Sequence, residues 1–254
     1  MYRLDTLIKS FSSAVQDYEH YAEFQNCVAS EVAKLFISHF KRKGKVLDLG
    51  VGTAFVQDYL KNSFEVIALD VALAMLQYSR VKHPHLIGVC ADADRIPFRK
   101  GSFSAIVSSL MMQWSQDLSI LLKNLSSLLD NEGLLVFSIL GEKSLHELRA
   151  SWERVDDKPH VHSFLSKEKL EWMLCKLFSD VKIIENNYCE YFPTVLSMMR
   201  HLNRVGVSNQ RVERRGGLQG KKRLANMMVA YESYYVAEKG FPLTYQVFYV
   251  VAKK

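Results

Sequence analysis

The chain has 254 residues, of which 48% are hydrophobic and 24% are charged, and this composition supports one sizeable hydrophobic core rather than a disordered chain. Residues 1–13 alternate charged and apolar side chains, which is not the pattern of a secretory signal peptide. The most apolar stretch, residues 133–140, is too short to cross a bilayer. These features predict a cytoplasmic protein with a single domain over residues 1–254 and no membrane partner.

The net charge is +6, and the basic excess lies in the last quarter of the chain. Residues 195–254 hold 11 of the 33 Lys and Arg residues but 3 of the 27 Asp and Glu residues. A local field of one sign predicts an acidic partner, and a solvated helix face is the alternative interpretation.

In chain order, apolar residues at helical spacing predict one or two amphipathic helices within residues 4–40. Short apolar runs then predict strands at residues 45–50, 65–70, 86–91, 102–110 and 134–140. Helices are predicted up to residue 60 and over residues 72–81 and 117–129, followed by a turn at residues 130–133. This alternation predicts an α/β fold with a doubly wound, mostly parallel sheet.

After residue 140 the predicted strands and helices no longer alternate regularly. Helices are predicted over residues 144–155 and 166–178, strands over 181–188 and 245–252, and a long helical stretch over 194–239. The sheet then has seven strands. We expect an N-terminal helical entry segment (residues 1–42), a cofactor-binding core (43–140) and a helical lid (194–240) inserted before the last strand, over the sheet edge where ligands bind.

The four cysteines are scattered, with no CxxC pair and no Cys/His pair at zinc spacing. This pattern is compatible with a reducing compartment and predicts no metal site. We interpret Cys27, Cys90, Cys175 and Cys189 as buried small apolar residues.

A glycine turn follows the first predicted strand in the order Asp48-x-Gly50-x-Gly52. Glycines permit the unusual backbone angles and the close ligand approach that such a strand-to-helix turn needs. Asp70 ends the next strand, where a carboxylate can accept hydrogen bonds from both ribose hydroxyls, and Asp92 ends the third strand, where an adenine amino group can donate to it. The alternative is that these acids are turn and cap residues.

This motif resembles the S-adenosylmethionine signature of class I methyltransferases. The resemblance implies that Asp48 and the glycine turn approach the methionine part of the cofactor, that Asp70 binds the ribose and that Asp92 and Ala93 lie beside the adenine. Ala54 stands where that family usually has a third glycine, and its methyl group is expected to narrow the room near the ligand. The expected cofactor-binding residues are Gln25, Asp48, Gly50, Gly52, Asp70, Val71, Met75, Asp92, Ala93 and Ser109.

No decisive catalytic base is evident. His160 and His162 form the nearest approach to a histidine constellation, and a structural role is the better interpretation of both. Residues 108–111 stand in place of the motif of exocyclic-amine methyltransferases, and there is no Pro-Cys nucleophile, which argues against methylation of adenine amines or of cytosine C5 in nucleic acid.

A more specific resemblance covers nearly the whole chain. The short elements at residues 8–11, 91–93, 96–98, 113–114, 144–149, 216–218 and 242–245 resemble, in order and spacing, the malonyl-[acyl-carrier protein] O-methyltransferases of biotin synthesis. The resemblance implies methylation of the free malonyl carboxylate on an acidic acyl-carrier protein, with S-adenosylhomocysteine as the second product.

Within this interpretation, Arg149 is the candidate for binding the acceptor carboxylate because a guanidinium offers bidentate geometry, and Tyr18 is the second candidate catalytic residue. A surface arginine and a packing tyrosine are the alternatives. The candidates for carrier-protein docking are the basic residues Arg211, Arg214, Arg215, Lys221, Lys222 and Arg223.

Three other functions stay open from the sequence. They are a small-molecule carboxyl or hydroxyl methyltransferase, a non-catalytic S-adenosylmethionine-binding assembly factor, and an RNA methyltransferase that uses the basic segment. Activity on free malonate, absence of cofactor binding, and salt-sensitive RNA affinity with RNA methylation would respectively distinguish them.

Overall fold

The computed structural model describes residues 4–60, 64–205 and 218–254. Three helices precede the sheet: α1 (Leu4–Ala14), α2 (Tyr18–Tyr21) and α3 (Glu23–His39). On α3 the buried residues Phe24, Val28, Val32 and Phe36 recur every four positions, which places them on one face of the helix. The prediction of amphipathic helices before the sheet is therefore confirmed.

A seven-stranded sheet forms the centre of the fold, with the spatial order β3-β2-β1-β4-β5-β7-β6. The first five strands are parallel, and β7 runs antiparallel to both β5 and β6. The strands are β1 (Lys45–Leu49), β2 (Glu65–Asp70), β3 (Ile87–Cys90), β4 (Phe103–Ser109), β5 (Leu129–Leu140), β6 (Asp180–Phe192) and β7 (Phe241–Lys253). The predicted mostly parallel α/β fold is confirmed.

Helices cover both faces of the sheet because buried side chains alternate along the strands. On β1, Val46 packs into one hydrophobic core, and Leu47 and Leu49 pack into the other. The first core is completed by α3, α4 (Phe55–Leu60), α5 (Leu73–Lys82), α7 (His146–Glu153) and the helices that follow β6, and the second by α6 (Leu118–Leu128) and α8 (Lys167–Cys175). Such a doubly covered parallel sheet leaves its strand ends free for ligands.

Residues 130–133 differ from the prediction of a turn. They belong to β5, where the pairing with β4 passes from Phe103–Leu129 to Ala105–Leu134 and leaves an irregularity between. Asp130, in this irregularity, accepts hydrogen bonds from Arg42 and from Ser104. The extra residues are therefore accommodated within the strand as a bulge.

Helices lie between β6 and β7 in the described part of residues 194–240, and the role of this segment as a lid stays a prediction. It contains α9 (Val195–Arg204), α10 (Leu218–Tyr231) and a 3₁₀ turn (Glu232–Tyr234). Thr194 and Ser197 form a capping box that starts α9. Helix α9 packs near α2, β6 and β7, and α10 packs against α7. Among the helices within the described ranges, none has the length and apolar character needed to cross a membrane.

The interpretation of the cysteines as buried residues is wrong, because all four thiols are exposed. Cys27 lies on α3 between buried Phe24 and Val28 but faces outward. Cys90 and Cys189 lie on β3 and β6, which are the two edge strands and are covered less than the central ones. Cysteine is small enough to be buried, but the positions of these residues in the fold leave their thiols exposed.

Candidate functional site

The glycine turn after β1 adopts the backbone conformation that its sequence indicates. Gly50 has φ +75° and Gly52 has φ +52°, both in the left-handed region that favours glycine. A Cβ atom on Gly50 would lie 2.2 Å from Cγ of Met111, whereas one on Gly52 would meet no protein atom within 4 Å. Any side chain at position 50 would therefore clash with Met111, whereas Gly52 borders open space.

Asp70, at the end of β2, connects this turn to the next helix. One carboxylate oxygen accepts the amide of Gly52 at 2.9 Å, and the other accepts the amide of Ala72 at 2.8 Å. Burial raises the pKa of the Asp70 carboxyl, and these backbone hydrogen bonds lower it. Each carboxylate oxygen has a second lone pair, so Asp70 can also accept hydrogen bonds from a ligand.

Asp48, on β1, is 1% exposed and accepts a hydrogen bond from Nε2 of Gln57 at 2.7 Å. Burial raises the pKa of Asp48 to about 7, against the hydrogen bond from Gln57, and the nearby Asp70 raises it further. A bound cation would favour the ionised form of this carboxyl.

Asp92 follows β3 and caps a 3₁₀ turn (Ala93–Arg95), where its side chain accepts the amide of Asp94 at 2.9 Å. Asp94 in turn accepts hydrogen bonds from the side chain of Ser115 and the amide of Gln116. Asp92 therefore caps this turn, as the alternative interpretation holds, and it also lies at the end of β3 where it lines the cavity described next.

One cavity at the carboxyl ends of the strands brings these residues together. All ten expected cofactor-binding residues line it, and so does Tyr18. The four lining carboxylates are those of Asp48, Asp70, Asp92 and Asp94, and the described lining includes no Lys, Arg or His. The cavity is therefore suited to a ligand that carries positive charge.

Helix α1 contributes to the cavity lining, beside Tyr18 and Gln25, which the sequence suggested as residues of the N-terminal helices that close the site. Leu4, Leu7 and Phe11 line it, and the ring of Phe11 meets the edge of Trp114 at 5.8 Å between centroids. Tyr18 lies beside Phe55, with 6.2 Å between ring centroids, and burial followed by the nearby Asp70 raises its pKa. Tyr18 therefore keeps its proton in this position.

Four buried polar atoms on residues that line the cavity make no hydrogen bond of ordinary geometry to a described residue: Oε1 of Gln25, Oγ1 of Thr53, Oε1 of Gln113 and the hydroxyl of Tyr245, which lies near the Glu190 carboxylate. Buried polar atoms without a partner are costly, so they mark positions where a ligand or water completes the hydrogen bonding. Sequence reasoning missed Thr53, Gln113 and Tyr245. Thr53 could have been identified because it directly follows Gly52 in the turn. The sequence around Gln113 and Tyr245 carries no comparable local indication that they line the cavity.

Ala54 departs from the expectation that its methyl group narrows the ligand space. Its φ is +66°, it is 0% exposed, and it belongs to the hydrophobic core rather than to the cavity lining. The missing third glycine therefore affects the backbone, where an L-residue in the left-handed region is strained.

Arg149 does not reach this cavity. Its guanidinium donates to the backbone carbonyls of Glu142 at 3.0 Å, Ser144 at 3.1 Å and His162 at 3.5 Å. It thereby joins the segment after β5 to the loop that contains His162. A role for Arg149 in binding the acceptor stays a prediction that these contacts do not support.

The docking candidates divide into three groups. Arg211, Arg214 and Arg215 lie outside the described residues, and Lys221 and Lys222 are exposed on α10. Arg223 is instead paired with Asp156, whose other oxygen lies 2.8 Å from Nε2 of His160. His160 is buried and stacks on Trp152 at 3.9 Å between centroids. Arg223 and His160 therefore hold α10 against α7 and the loop after it.

Comparison with known proteins gives the family. Residues 47–137 match the family described as a methyltransferase domain. Malonyl-[acyl-carrier protein] O-methyltransferases of Halorhodospira halophila and Yersinia pestis are each 33% identical to this chain, with 95% of the chain aligned to 84% and 88% of the relatives. The chain belongs to the malonyl-[acyl-carrier protein] O-methyltransferase family.

Longer family members carry a second function. The biotin biosynthesis bifunctional protein BioHC of Cellvibrio japonicus is 32% identical over 97% of this chain, which aligns to 49% of that protein. The chain therefore spans about half the length of the bifunctional relatives it matches.

Solved structures agree with the fold. The YcgJ protein of Bacillus subtilis has a TM-score of 0.63 at 14% identity, covering 88% of this chain and 98% of that one. A phosphoethanolamine N-methyltransferase of Haemonchus contortus, solved with S-adenosylhomocysteine, has a TM-score of 0.58 at 16% identity, covering 95% and 57%. At these identities the likeness shows the class I methyltransferase fold alone.

The residues of the cavity fit S-adenosylmethionine, which carries a sulfonium, an ammonium and a carboxylate group and is positively charged overall. Four carboxylates and no basic side chain line the described cavity, which favours a cationic ligand. The amide and hydroxyl oxygens of Gln25, Thr53 and Gln113 have no hydrogen-bond partner in the described structure, as expected where a polar ligand binds.

Proposed function

We propose that this protein transfers a methyl group from S-adenosylmethionine to the free carboxylate of a malonyl group on an acyl-carrier protein. The observation that carries the proposal is the convergence of Asp48, Asp70 and Asp92 on one cavity beneath the turn at Gly50 and Gly52. The malonyl-carrier protein as acceptor is inferred from the names of the family's members. A cytoplasmic location stays a prediction.

The binding residues have separate tasks in this proposal. Asp70 holds the ribose hydroxyls while it also fixes the amides of Gly52 and Ala72. Asp92 and Ala93 would lie beside the adenine, and Val71, Met75 and Ser109 line the same cavity. Asp48 and Gln25 would hold the methionine part. The carboxylates offset the positive charge of the ligand in a site that excludes much of the water.

The reaction needs orientation rather than a base. A carboxylate oxygen of the acceptor takes the methyl group of bound S-adenosylmethionine by in-line displacement, forming a C–O bond as the S–C bond breaks, and no proton is transferred. The chain must therefore align acceptor and donor and exclude water. Phe11, Tyr18 and Trp114 are suited to exclude water because they enclose the cavity.

Carrier-protein docking is assigned to the basic residues of the insertion. Lys221 and Lys222 present exposed charges on α10, and Arg211, Arg214 and Arg215 precede them in the sequence. Charge complementarity with an acidic carrier protein would chiefly speed the encounter. Arg223 is excluded from this group because it is paired with Asp156.

The test is mass spectrometry of malonyl-carrier protein after incubation with the enzyme and S-adenosylmethionine. The proposal expects a gain of one methylene on the malonyl group and no gain on acetyl-carrier protein, which lacks the free carboxylate. Equal methylation of free malonate would indicate a small-molecule enzyme. Calorimetry without any S-adenosylmethionine binding would indicate a non-catalytic protein, and either result would overturn the proposal.

A further inference from the structure

Positive charge stands at the rim of the cavity rather than inside it. The described lining contains four carboxylates and no Lys, Arg or His, so any further anionic group on the acceptor should stay at the surface and meet a cation there. Within the described chain, the basic residues that directly adjoin a lining residue in the sequence are Arg95, next to Asp94, and Arg204, next to Val205.

These two arginines lie at different ends of the cavity. Arg95 follows β3 and Asp92, on the side proposed for the adenine. Arg204 is the last residue of α9, which packs near α2, β6 and β7. Val205 lines the cavity together with Leu140 at the end of β5, and both β5 and β7 lie on the opposite side of β1 from β2 and β3. Arg204 therefore adjoins the end that the proposed cofactor residues leave for the acceptor.

The guanidinium of Arg204 rests on an aromatic ring. Its Cζ lies over the ring of Tyr21, 4.2 Å from the centroid. Tyr21 belongs to α2, the same short helix as Tyr18, which lines the cavity. A planar guanidinium that interacts with a ring through its face keeps the N–H donors at its edges available for an anion. The ring thus holds this fork of donors at the point where α2 and α9 meet beside the cavity.

The surroundings of Arg204 leave its charge available. Its side chain is exposed, and within the described part of the chain no carboxylate forms an ion pair with it. Arg200, one helical turn earlier, is also exposed, and α9 contains no Asp or Glu. The outer face of α9 is therefore positive close to the cavity, and a guanidinium fork matches the geometry of a phosphate.

We propose that Arg204 binds the phosphate of the phosphopantetheine arm through which a carrier protein holds its malonyl thioester. The inference rests on the proposed function and adds a subsite for the acceptor at the mouth of the cavity. The malonyl end of the arm enters the cavity, and the phosphate stays at the surface, where Tyr21 orients the Arg204 donors and Arg200 adds to the attraction. Lys221 and Lys222 on α10 have a separate task in this scheme, which is to meet acidic side chains of the carrier protein itself.

The sharpest test uses two short substrates, malonyl-phosphopantetheine and malonyl-pantetheine, which differ by the phosphate. Wild-type protein should have the lower KM for the phosphorylated substrate. Arg204→Gln should raise that KM about fivefold, as expected for loss of an exposed ion pair, and should change the KM for malonyl-pantetheine less than about twofold. The loss should shrink as salt rises, because exposed charges are screened.

A matched control is Arg95→Gln, which removes the same charge at the other end of the cavity and should keep the full preference for the phosphorylated substrate. Tyr21→Leu removes the ring under Arg204 and should weaken that preference in part. Arg204 also stabilises the C-terminal end of α9, so some loss of thermal stability is expected in Arg204→Gln whatever its role in binding. The preference between the two substrates does not depend on that loss.

The outcomes separate the possible roles of Arg204. Equal effects of Arg204→Gln on both short substrates would assign it a structural role and overturn the inference. An effect on malonyl-carrier protein with an unchanged preference between the short substrates would place Arg204 against the carrier's acidic side chains, and it would also overturn the inference. Wild-type protein that methylates malonyl-carrier protein but lacks the phosphate preference would overturn this inference alone. Wild-type protein without turnover of malonyl-carrier protein would overturn the proposed function as well.

Discussion

The carboxylate of Asp70 accepts a hydrogen bond from the amide of Gly52 at 2.9 Å, across the gap between β2 and the turn after β1. Its other oxygen holds the amide of Ala72 at the start of α5. One side chain therefore stabilises the shape of the turn and presents its remaining lone pairs to the cavity. Ligand binding and turn geometry are coupled through this residue.

Asp70→Ala should abolish measurable S-adenosylmethionine binding, because it removes the ribose acceptor and releases the Gly52 amide. Isothermal titration calorimetry measures this directly. Asp180→Ala, which removes an exposed carboxylate at the start of the edge strand β6, is the control and should bind as wild type. Retention of wild-type affinity in Asp70→Ala would contradict the assigned site.

Cofactor binding should release protons from Asp48. Its pKa is raised to about 7 by burial, and a bound cation lowers that pKa by favouring the ionised carboxylate. At pH 7 up to about half a proton should be released per site. Calorimetry in buffers of different ionisation enthalpy measures the release, and Asp48→Asn should show correspondingly less than wild type.

The same raised pKa sets the sign of a stability effect. Between the ordinary aspartate pKa and about 7, the folded state binds more protons than the unfolded state, so the free energy of unfolding falls as pH rises through this range. Asp48→Asn should flatten that decline in urea titrations. An equal slope in both proteins would show that Asp48 ionises normally.

Arg149→Ala should lower stability by about 0.5–1.5 kcal/mol, because the exposed carbonyl of Glu142 and the partly buried carbonyl of Ser144 lose their guanidinium donor to water. If Arg149 only joins these segments, the variant should retain its KM for malonyl-carrier protein at temperatures where it stays folded. A tenfold or greater rise in that KM, with unchanged S-adenosylmethionine affinity, would instead support the acceptor-binding role expected from the sequence. Urea unfolding and steady-state kinetics together decide between them.

Charge reversal tests the docking surface. The pairs Arg214→Glu with Arg215→Glu and Lys221→Glu with Lys222→Glu should each raise KM for the carrier protein several-fold and leave a short malonyl thioester unaffected. The effect should shrink as salt rises, because exposed charges are screened. Lys123→Glu with Lys169→Glu makes the same charge change on α6 and α8, across the sheet, and should leave KM unchanged. Equal effects on both substrates would remove the docking role.

Ala54→Gly should leave S-adenosylmethionine affinity within about twofold of wild type, since Ala54 does not line the cavity. Relief of left-handed strain is worth about 1 kcal/mol and loss of a buried methyl group costs about 0.8 kcal/mol, so stability should change little. Ala54→Val should destabilise the fold markedly. A large gain of affinity in Ala54→Gly would show that the methyl group does limit the site.

Much of the cofactor side was predictable because its signals are local. A turn that requires Gly50 and Gly52, and acids that end neighbouring parallel strands, must meet at one edge of the sheet. The placement of α1, the orientation of Tyr245 and the inward or outward direction of Arg149 depend on packing between distant segments. Arg149 is an example: the sequence shows that it follows β5, but it does not show which backbone carbonyls accept hydrogen bonds from its guanidinium.

Every residue of β6 pairs with β7, from Asp180 with Lys253 to Phe192 with Phe241, so the inserted segment leaves and rejoins the sheet through one adjoining pair. Changes in the length or composition of that segment therefore transmit no shift in register to the distant strands β1 to β3. Because loop closure depends only weakly on length, changes in length between α9 and α10 should cost the fold little, whereas changes to the core residues that these helices contribute, such as Met198 and Tyr231, would destabilise it. Under the proposed function this segment meets the carrier protein, so grafting it between relatives should change the preference for the carrier protein and leave S-adenosylmethionine affinity unchanged.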